Sequence, residues 1–374
     1  MGADIDLKSV IDKGALKHNY KTLAGLTDAR ICVMAKADAY GHGLCETAKL
    51  LSAYGREINR PCLFGAATAE EALILRENGV ADDILIVGGL QREYAAELIK
   101  NGVICAVLSA GDIEFLNNAA GKAGRAARAH LKLDTGMHRL GLSGAGDIRK
   151  AAEAFGDGKN VRLEGIFTHY ATGDSNEIYL NYQYDVFNHL LAGVEKHTGR
   201  RVFARLIKHG AATGALLTDK KYHIDMVRAG LSVYGYGTGC NGNKAAFRPA
   251  MSVYTRIVQI SRLAAGEFIG YGNNYRLERD TAVAVIRAGY GDGYKRGLSN
   301  RGRVSVKGRL CPVIGNVCMD LCMIDVTNIA DIGYNDVVYL LNGQVTAEDA
   351  AADCGTISYD ILTGFSRRIN RAYI

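Results

Sequence analysis

The side chain with the most chemical reach is Lys36, in Met34-Ala35-Lys36-Ala37-Asp38-Ala39-Tyr40-Gly41-His42-Gly43. An apolar run, Ile31–Met34, precedes it with the length and composition of a buried strand. The lysine therefore stands where that strand should end. Burial disfavours the charged form of an amine, and an amine that is neutral part of the time can form a Schiff base. Tyr40, Gly41 and Gly43 suit a close backbone turn beside a ligand. From spacing alone, a lysine stem lying along a strand end fits equally well.

Other strand ends carry polar residues of useful types. In His130-Leu131-Lys132-Leu133-Asp134-Thr135-Gly136-Met137-His138-Arg139, Lys132 alternates with two leucines and so points with the polar face of a strand. Arg139 follows just past the turn, and a guanidinium fork suits a carboxylate. Each of the two, taken alone, reads equally as a surface charge. Thr168-His169-Tyr170 ends the next run, although a lone histidine is more often a satisfied core residue. His209-Gly210-Ala211-Ala212-Thr213 offers a hydroxyl, and in Arg228-Ala229-Gly230-Leu231 the backbone N–H groups of Gly230 and Leu231 could cradle a phosphate.

The elements that must position these residues follow one rhythm from Arg30 to Gly237. Apolar runs at Ile31–Met34, Cys62–Ala66, Ile84–Val87, Ile104–Leu108, Ala129–Leu133, Leu163–Phe167, Arg205–Lys208 and Ile224–Tyr234 alternate with helical patterns such as Ala69–Leu75 and Tyr182–Val194. Eight alternations predict a (β/α)8 barrel with its ligand at the C-terminal strand ends. An open doubly wound sheet would alternate in the same way. After Cys240 the long helices stop. Strand-like pieces follow at Ser252–Ile260, Thr281–Ile286, Arg303–Val306, Cys311–Val313, Cys322–Asp325 and Asp336–Leu341, with a helical piece at Ala347–Ala352 before a C-terminal strand. The expected fold class is α/β: an N-terminal (β/α)8 barrel over residues 1–240, then a smaller β-rich domain over 241–374.

Composition bounds the function. The 374 residues are 48% hydrophobic, enough for a sizeable core. A net charge of +6 without a long like-charge run argues against nucleic acid as the main partner. No stretch reaches the 18 apolar residues of a membrane span, and residues 1–13 carry no signal-peptide pattern. The nine cysteines include no Cys-x-x-Cys pair, so neither a metal site nor a disulfide framework is expected.

Lys36-Ala-Asp-Ala-Tyr40-Gly-His-Gly43 closely resembles the pyridoxal-phosphate lysine motif of alanine racemases, and further motifs extend the resemblance over almost the whole chain. It implies that Lys36 carries pyridoxal 5'-phosphate and serves as one of two bases. Tyr271, in Ile269-Gly-Tyr-Gly272, is the other, reaching the active site of the partner subunit in a homodimer. Two bases on opposite faces suit a racemase, since one takes the α-proton and the other returns one. The resemblance makes Arg139 the holder of the substrate carboxylate and of the cofactor's phenolic oxygen, with Lys132 a candidate for carbamylation that would orient it. His169 would stack near the cofactor ring and bond Tyr271, and Arg228 would face the pyridine nitrogen. Tyr40, Thr213, Gly230, Leu231 and Tyr359 would complete the cofactor site. The backbone of Met319 would contact the substrate carboxylate across the dimer interface, with Asp320 in support. Three segments depart from the family pattern: Ala212-Thr213 stands for Asn-Ser, Ala229 for proline, and Arg368-Ile-Asn-Arg371 for the usual ending.

The implied activity is interconversion of L- and D-alanine in the cytoplasm for peptidoglycan. The nearest alternative is the serine racemase domain of a vancomycin-resistance membrane protein, since a small apolar pocket rejects an added hydroxyl only weakly. The bulk of Tyr359 favours alanine. A cofactor-carrier barrel and a class I aldolase are more distant readings.

Overall fold

The computed structural model describes residues 7–157, 159–365 and 368–374. The first six residues, part of the stretch searched for a leader, lie outside them. The chain forms two compact units: one comprises Leu16–Ala39 and Leu44–Arg248, the other the N-terminal stretch through Ala15, Tyr40–Gly43 and Pro249–Ile374.

After β1 (Lys8–Ile11), the barrel unit contributes β2 (Arg30–Met34), β3 (Cys62–Ala66), β4 (Ile84–Ile86), β5 (Ile104–Val107), β6 (Ala127–Lys132), β7 (Val161–Phe167), β8 (Ile207–His209) and β9 (Met226–Ala229). These eight lie parallel in the order β8-β7-β6-β5-β4-β3-β2-β9. Arg228 N donates to Ala211 O at 2.9 Å and Asp225 N to Lys208 O at 3.1 Å, which brings β9 back to the β8 end and nearly closes the barrel. The expected barrel is therefore present. Its strands are buried on both faces, and such strands read as continuous apolar runs.

Several of the helices between the strands start at side-chain caps. Thr68 caps Ala69–Glu77 and Asn176 caps Glu177–Thr198. The eighth run is corrected. Ile224–Tyr234 reads as one apolar strand, yet the strand stops at Ala229. Gly230 turns the chain (φ −106°, ψ −98°), and Leu231–Tyr234 forms a short 3-10 turn. All four turn residues are buried, and apolar composition alone cannot separate a buried turn from a buried strand.

The other unit adds β10 (Met251–Leu263), β11 (Thr281–Ile286), β12 (Arg303–Val306), β13 (Arg309–Ile314), β14 (Cys322–Asp325), β15 (Val337–Leu341) and β16 (Asn370–Tyr373). The sheet runs β11-β14-β13-β12-β15-β10-β1-β16. The N-terminal β1 belongs to it, antiparallel to β10 and parallel to β16. A helix at Ser358–Gly364, not expected from the sequence, carries Tyr359. All nine cysteines are free, and no helix among the described residues is long and apolar enough to cross a membrane.

The segment that begins with Lys36 starts in the barrel unit and ends in the β-rich one. Ala37, Asp38, Ala39 and Tyr40 have φ of 53°, 55°, 54° and 52°, one turn of left-handed helix. For L-residues this costs about 1–2 kcal/mol each. The turn is held by its own Ala39 N→Ala35 O bond (2.7 Å) and by two carboxylates. Glu71 Oε1 accepts from Ala37 N at 2.6 Å, and Asp38 Oδ1 accepts from Leu44 N at 2.8 Å. The turn ends at Gly41 (φ 82°), where a Cβ would run into the carbonyl oxygen of Leu362. Ala37 is exposed, so its backbone strain can be tested without emptying the core. Ala37→Gly should raise stability in urea unfolding by about 1 kcal/mol and Ala37→Val should lower it by at least as much. Loss of stability in the glycine variant would contradict a strained turn.

Candidate active site

Arg228 on β9 organises the C-terminal end of the barrel. It is 4% exposed, and its register partner on β2 is Cys32. Nη1 donates to His209 Nδ1 at 2.7 Å and to His209 O at 3.3 Å. Nη2 donates to Thr168 O at 2.7 Å, Gly210 O at 2.9 Å and His169 Nδ1 at 3.2 Å. All of these acceptors are neutral. Burial lowers the Arg228 pKa to about 10, which leaves a cation at neutral pH. Its Nε–H has no protein acceptor among the described residues and remains available to a ligand.

Because arginine can only donate, the imidazoles facing it must present lone pairs. His169 therefore carries its proton on Nε2. Burial, then the charges of Arg228, Lys132, Arg139 and Lys36, holds its pKa well below the usual histidine value. It stays neutral and keeps one N–H to donate.

Lys36 is half-buried at the end of the first barrel strand. Burial lowers its pKa, Arg139 and Arg228 lower it further, and Glu71 opposes them. Both carboxylate oxygens of Glu71 accept from backbone, Ala37 N (2.6 Å) and Ala67 N (2.8 Å), so it makes no ion pair with the amine. Tyr234 OH fixes the strand end by donating to Met34 O at 2.8 Å.

Lys132, the last residue of β6, is 5% exposed, with Nζ 4.7 Å from the centre of the Phe167 ring. Burial, then Arg228 and Arg139, draws its pKa from the ordinary 10.5 to about 7. Asp134 does not neutralise it. Asp134 Oδ1 instead accepts from Gly136 N, Met137 N and His138 N at 2.9, 3.0 and 3.1 Å, building the turn that presents Arg139. Arg139 is exposed and has no ion pair among the described residues. The barrel end thus gathers two lysines and two arginines with no carboxylate among the described residues bound to any of them.

A hydroxyl-lined cradle adjoins Arg228 in sequence. Thr213 Oγ1 accepts from Gly230 N and Ser232 N, both at 3.3 Å, and lies 3.0 Å from Ser232 Oγ. These amides and hydroxyls are suited to phosphate oxygens.

Lys36, Lys132, Arg139, His169, Thr213, Arg228, Gly230 and Leu231 all belong to the barrel unit. Tyr40, Tyr271, Met319, Asp320 and Tyr359 belong to the β-rich unit. There the rings of Tyr40 and Tyr359 lie 5.7 Å apart. Tyr271 is 75% exposed in a turn whose Tyr271 O accepts from Asn316 Nδ2 at 2.7 Å, and Met319 is 54% exposed. Asp320 is bonded by Arg368 Nη2 at 2.8 Å, and Arg371 Nε donates to Gly41 O at 2.8 Å, so both arginines of the unusual ending hold structure. Reading the sequence missed Ser232, His209 as a ligand of Arg228, and Glu71. The pattern Thr68-x-x-Glu71 before an apolar run was the one available signal, a capping-box spacing.

The low pKa of Lys132 has a stability consequence. Between about 7 and 10.5 the unfolded chain binds the proton and the folded chain does not, so this group makes stability rise with pH there. Below 7 both states are charged and the fold bears the whole burial cost. In CO2-free buffer, Lys132→Met should therefore stabilise the protein at about pH 6, with a gain that shrinks towards pH 10. Urea unfolding across this range checks it, and a gain that does not vary with pH would contradict the shift.

The family described as "Alanine racemase, N-terminal domain" matches residues 11–238, and "Alanine racemase, C-terminal domain" matches residues 250–373. An alanine racemase of Desulfosudis oleivorans is 34% identical over 387 residues, covering 99% of this chain and 97% of the relative. The structure of alanine racemase from Clostridium difficile 630 superposes with a TM-score of 0.89 at 32% identity, covering 100% of this chain and 96% of that one. That of Bartonella henselae alanine racemase, with covalently bound pyridoxal phosphate, has a TM-score of 0.86 at 27% identity and 99% coverage of both chains. These relatives do not favour the serine alternative. Both domains and nearly the full length of the chain match, and the chain belongs to the alanine racemase family.

Proposed function

We propose that this protein is a pyridoxal-phosphate-dependent racemase that interconverts L- and D-alanine. The observation that carries the reading is Arg228, a buried cation held wholly by neutral acceptors with its Nε–H left over. This donor suits a pyridine nitrogen. The hydroxyl and amide cradle at Thr213, Gly230 and Ser232 suits a phosphate, and Lys36 is an amine of lowered basicity in the same barrel end. The donor set fits the cofactor.

Bound there, pyridoxal phosphate would draw electron density from the substrate's α-carbon and make its proton removable. Arg228 keeps its own proton and so hydrogen-bonds the ring nitrogen without protonating it. Lys36, once its amine is free, takes or returns the α-proton on one face. Tyr271 of a second copy serves the other face, and Arg139 holds the substrate carboxylate as a fork. Lys132, with its pKa drawn down to about 7, is neutral part of the time near pH 7 and so has the lone pair that carbamylation requires, and the resulting carboxylate would orient Arg139. The roles of Leu231 and of Tyr40 and Tyr359 at the cofactor, and of the Met319 backbone at the substrate carboxylate, rest on the family resemblance.

The reading includes a homodimer. Phe268, Tyr271, Tyr290, Met319 and Leu321 leave apolar surface on the β-rich unit, 39–75% exposed, of the kind a partner subunit covers. The product D-alanine would serve bacterial peptidoglycan in the cytoplasm.

The test is racemisation of L-alanine and L-serine side by side with added pyridoxal phosphate, for wild type and Tyr271→Phe. Alanine turnover should exceed that of serine by at least about tenfold. Tyr271→Phe should lower it by about 100-fold or more in both directions. Serine turnover equal to or above that of alanine would overturn the substrate assignment, and an unimpaired Tyr271→Phe would overturn the two-base reading.

A further inference from the structure

The polar chain anchored on Arg228 continues beyond His209. His209 Nε2 lies 3.0 Å from His130 Nδ1, with the rings 5.2 Å apart at 60°. His209 is itself stacked on Phe167, centroids 4.9 Å apart and planes within 1°. His130 is 0% exposed, on β6, and no step above uses it.

The donors fix every proton in the chain. Arg228 donates to His209 Nδ1, so the His209 proton is on Nε2. That proton is donated to His130 Nδ1, and His130 must carry its own proton on Nε2. The reverse order would set a His209 Nδ1–H against an arginine N–H at 2.7 Å, donor against donor. Burial keeps both rings neutral, with Arg128 and then Arg228 adding to it at His130 against Asp83, and Arg228 adding to it at His209: His130 falls to about 3 and His209 well below its usual value.

This arrangement costs stability. His130 Nε2 is buried with no partner among the described residues, a desolvation penalty that leucine would avoid. The fold also makes room for the ring. The β6–β7 register slips between Ala129 and His130, placing Gly165 opposite His130. A Cβ at Gly165 would lie 2.6–2.8 Å from three atoms of the imidazole. A bulge and a glycine serve this one side chain, and bulges of this kind re-aim residues beside functional sites.

We propose that His130 is a positioning residue: by accepting from His209 Nε2–H, the proton that Arg228 places there, it holds the His209 ring against Arg228 and so fixes the guanidinium. That the guanidinium in turn faces a cofactor rests on the function proposed above. The bond also polarises His209 and strengthens its acceptor nitrogen.

The experiment uses [15N]histidine-labelled protein loaded with pyridoxal phosphate, in wild type, His130→Leu and His130→Asn. In wild type both His130 and His209 should show the neutral Nε2–H signature from about pH 6 to 9. In His130→Leu the His209 Nε2–H loses its acceptor, so its 15N and 1H signals should move away from their hydrogen-bonded positions while Nδ1 still accepts from Arg228. The kcat for alanine should fall about tenfold, the worth of one buried hydrogen bond, with KM changed less than about twofold. The visible absorption band of the bound cofactor should shift. Asparagine places an acceptor near the former Nδ1 and should restore kcat to within about threefold. An Nδ1–H signature on either ring would overturn the proposal. So would unchanged His209 signals in His130→Leu, or an Asn variant as impaired and as unstable as the Leu variant, which would make His130 a packing residue. If wild type does not racemise alanine, the activity reading fails, while the tautomers and the shift of the His209 signals in His130→Leu still decide this one.

Discussion

The site depends on keeping one permanent cation inside a barrel without a counter-ion. Moving a guanidinium out of water is costly unless its donors are met. The barrel meets them from successive strand ends: Thr168 and His169 follow β7, and His209 and Gly210 end β8. Since all these acceptors are neutral, the positive charge is not cancelled and acts on its neighbours. Arg228 appears among the causes that lower the pKa of Lys36, Lys132, His169 and His209. Two like charges about 8 Å apart at an effective dielectric near 20 repel by about 2 kcal/mol, more than one pKa unit. A carboxylate in place of His209 would stabilise the arginine and return the lysines towards their ordinary basicity. The barrel end gives up that stabilisation and keeps its amines reactive.

The second constraint is the exit from the first barrel strand. Four consecutive non-glycine residues in left-handed conformation are rarely tolerated. Here Glu71, Asp38 and the Ala39–Ala35 bond hold the turn. Glu71 thereby has two effects. It satisfies strained backbone N–H groups, and its charge is the one influence raising the pKa of Lys36. With both its oxygens engaged by backbone, it tempers the lysine without pairing with it.

The architecture was legible in the sequence because parallel barrel strands, covered on both faces, read as apolar runs, and the antiparallel strands are short and separated by turns. The failures share one cause. Buried segments that are not strands, such as Leu231–Tyr234, have the same composition as strands. The four-residue β1 is identified only by its partners β10 and β16. At the site, Lys36, Arg139 and Arg228 were readable as residue types at strand ends. Their mutual effect was not, because residues from the first, fifth and eighth barrel strands meet only when the barrel closes. His130 and Ser232 had no signature, since a lone polar residue in an apolar run matches no spacing rule.

The two departures from the family pattern near the hydroxyl-lined cradle fit this logic. Ala212 is bridged to Arg228 through backbone, and Ala211 O accepts Arg228 N. The segment that returns β9 to the β8 end therefore needs main chain rather than a particular amide side chain. Ala229, in place of proline, pairs in register with Val33 of β2, at a position where a residue with an N–H can join a ladder and proline cannot. The hydroxyl that matters is retained: Thr213 reaches two amides and Ser232 together. Ala212 and Ala229 thus act here through their backbone, while at Thr213 the side-chain oxygen itself is the acceptor.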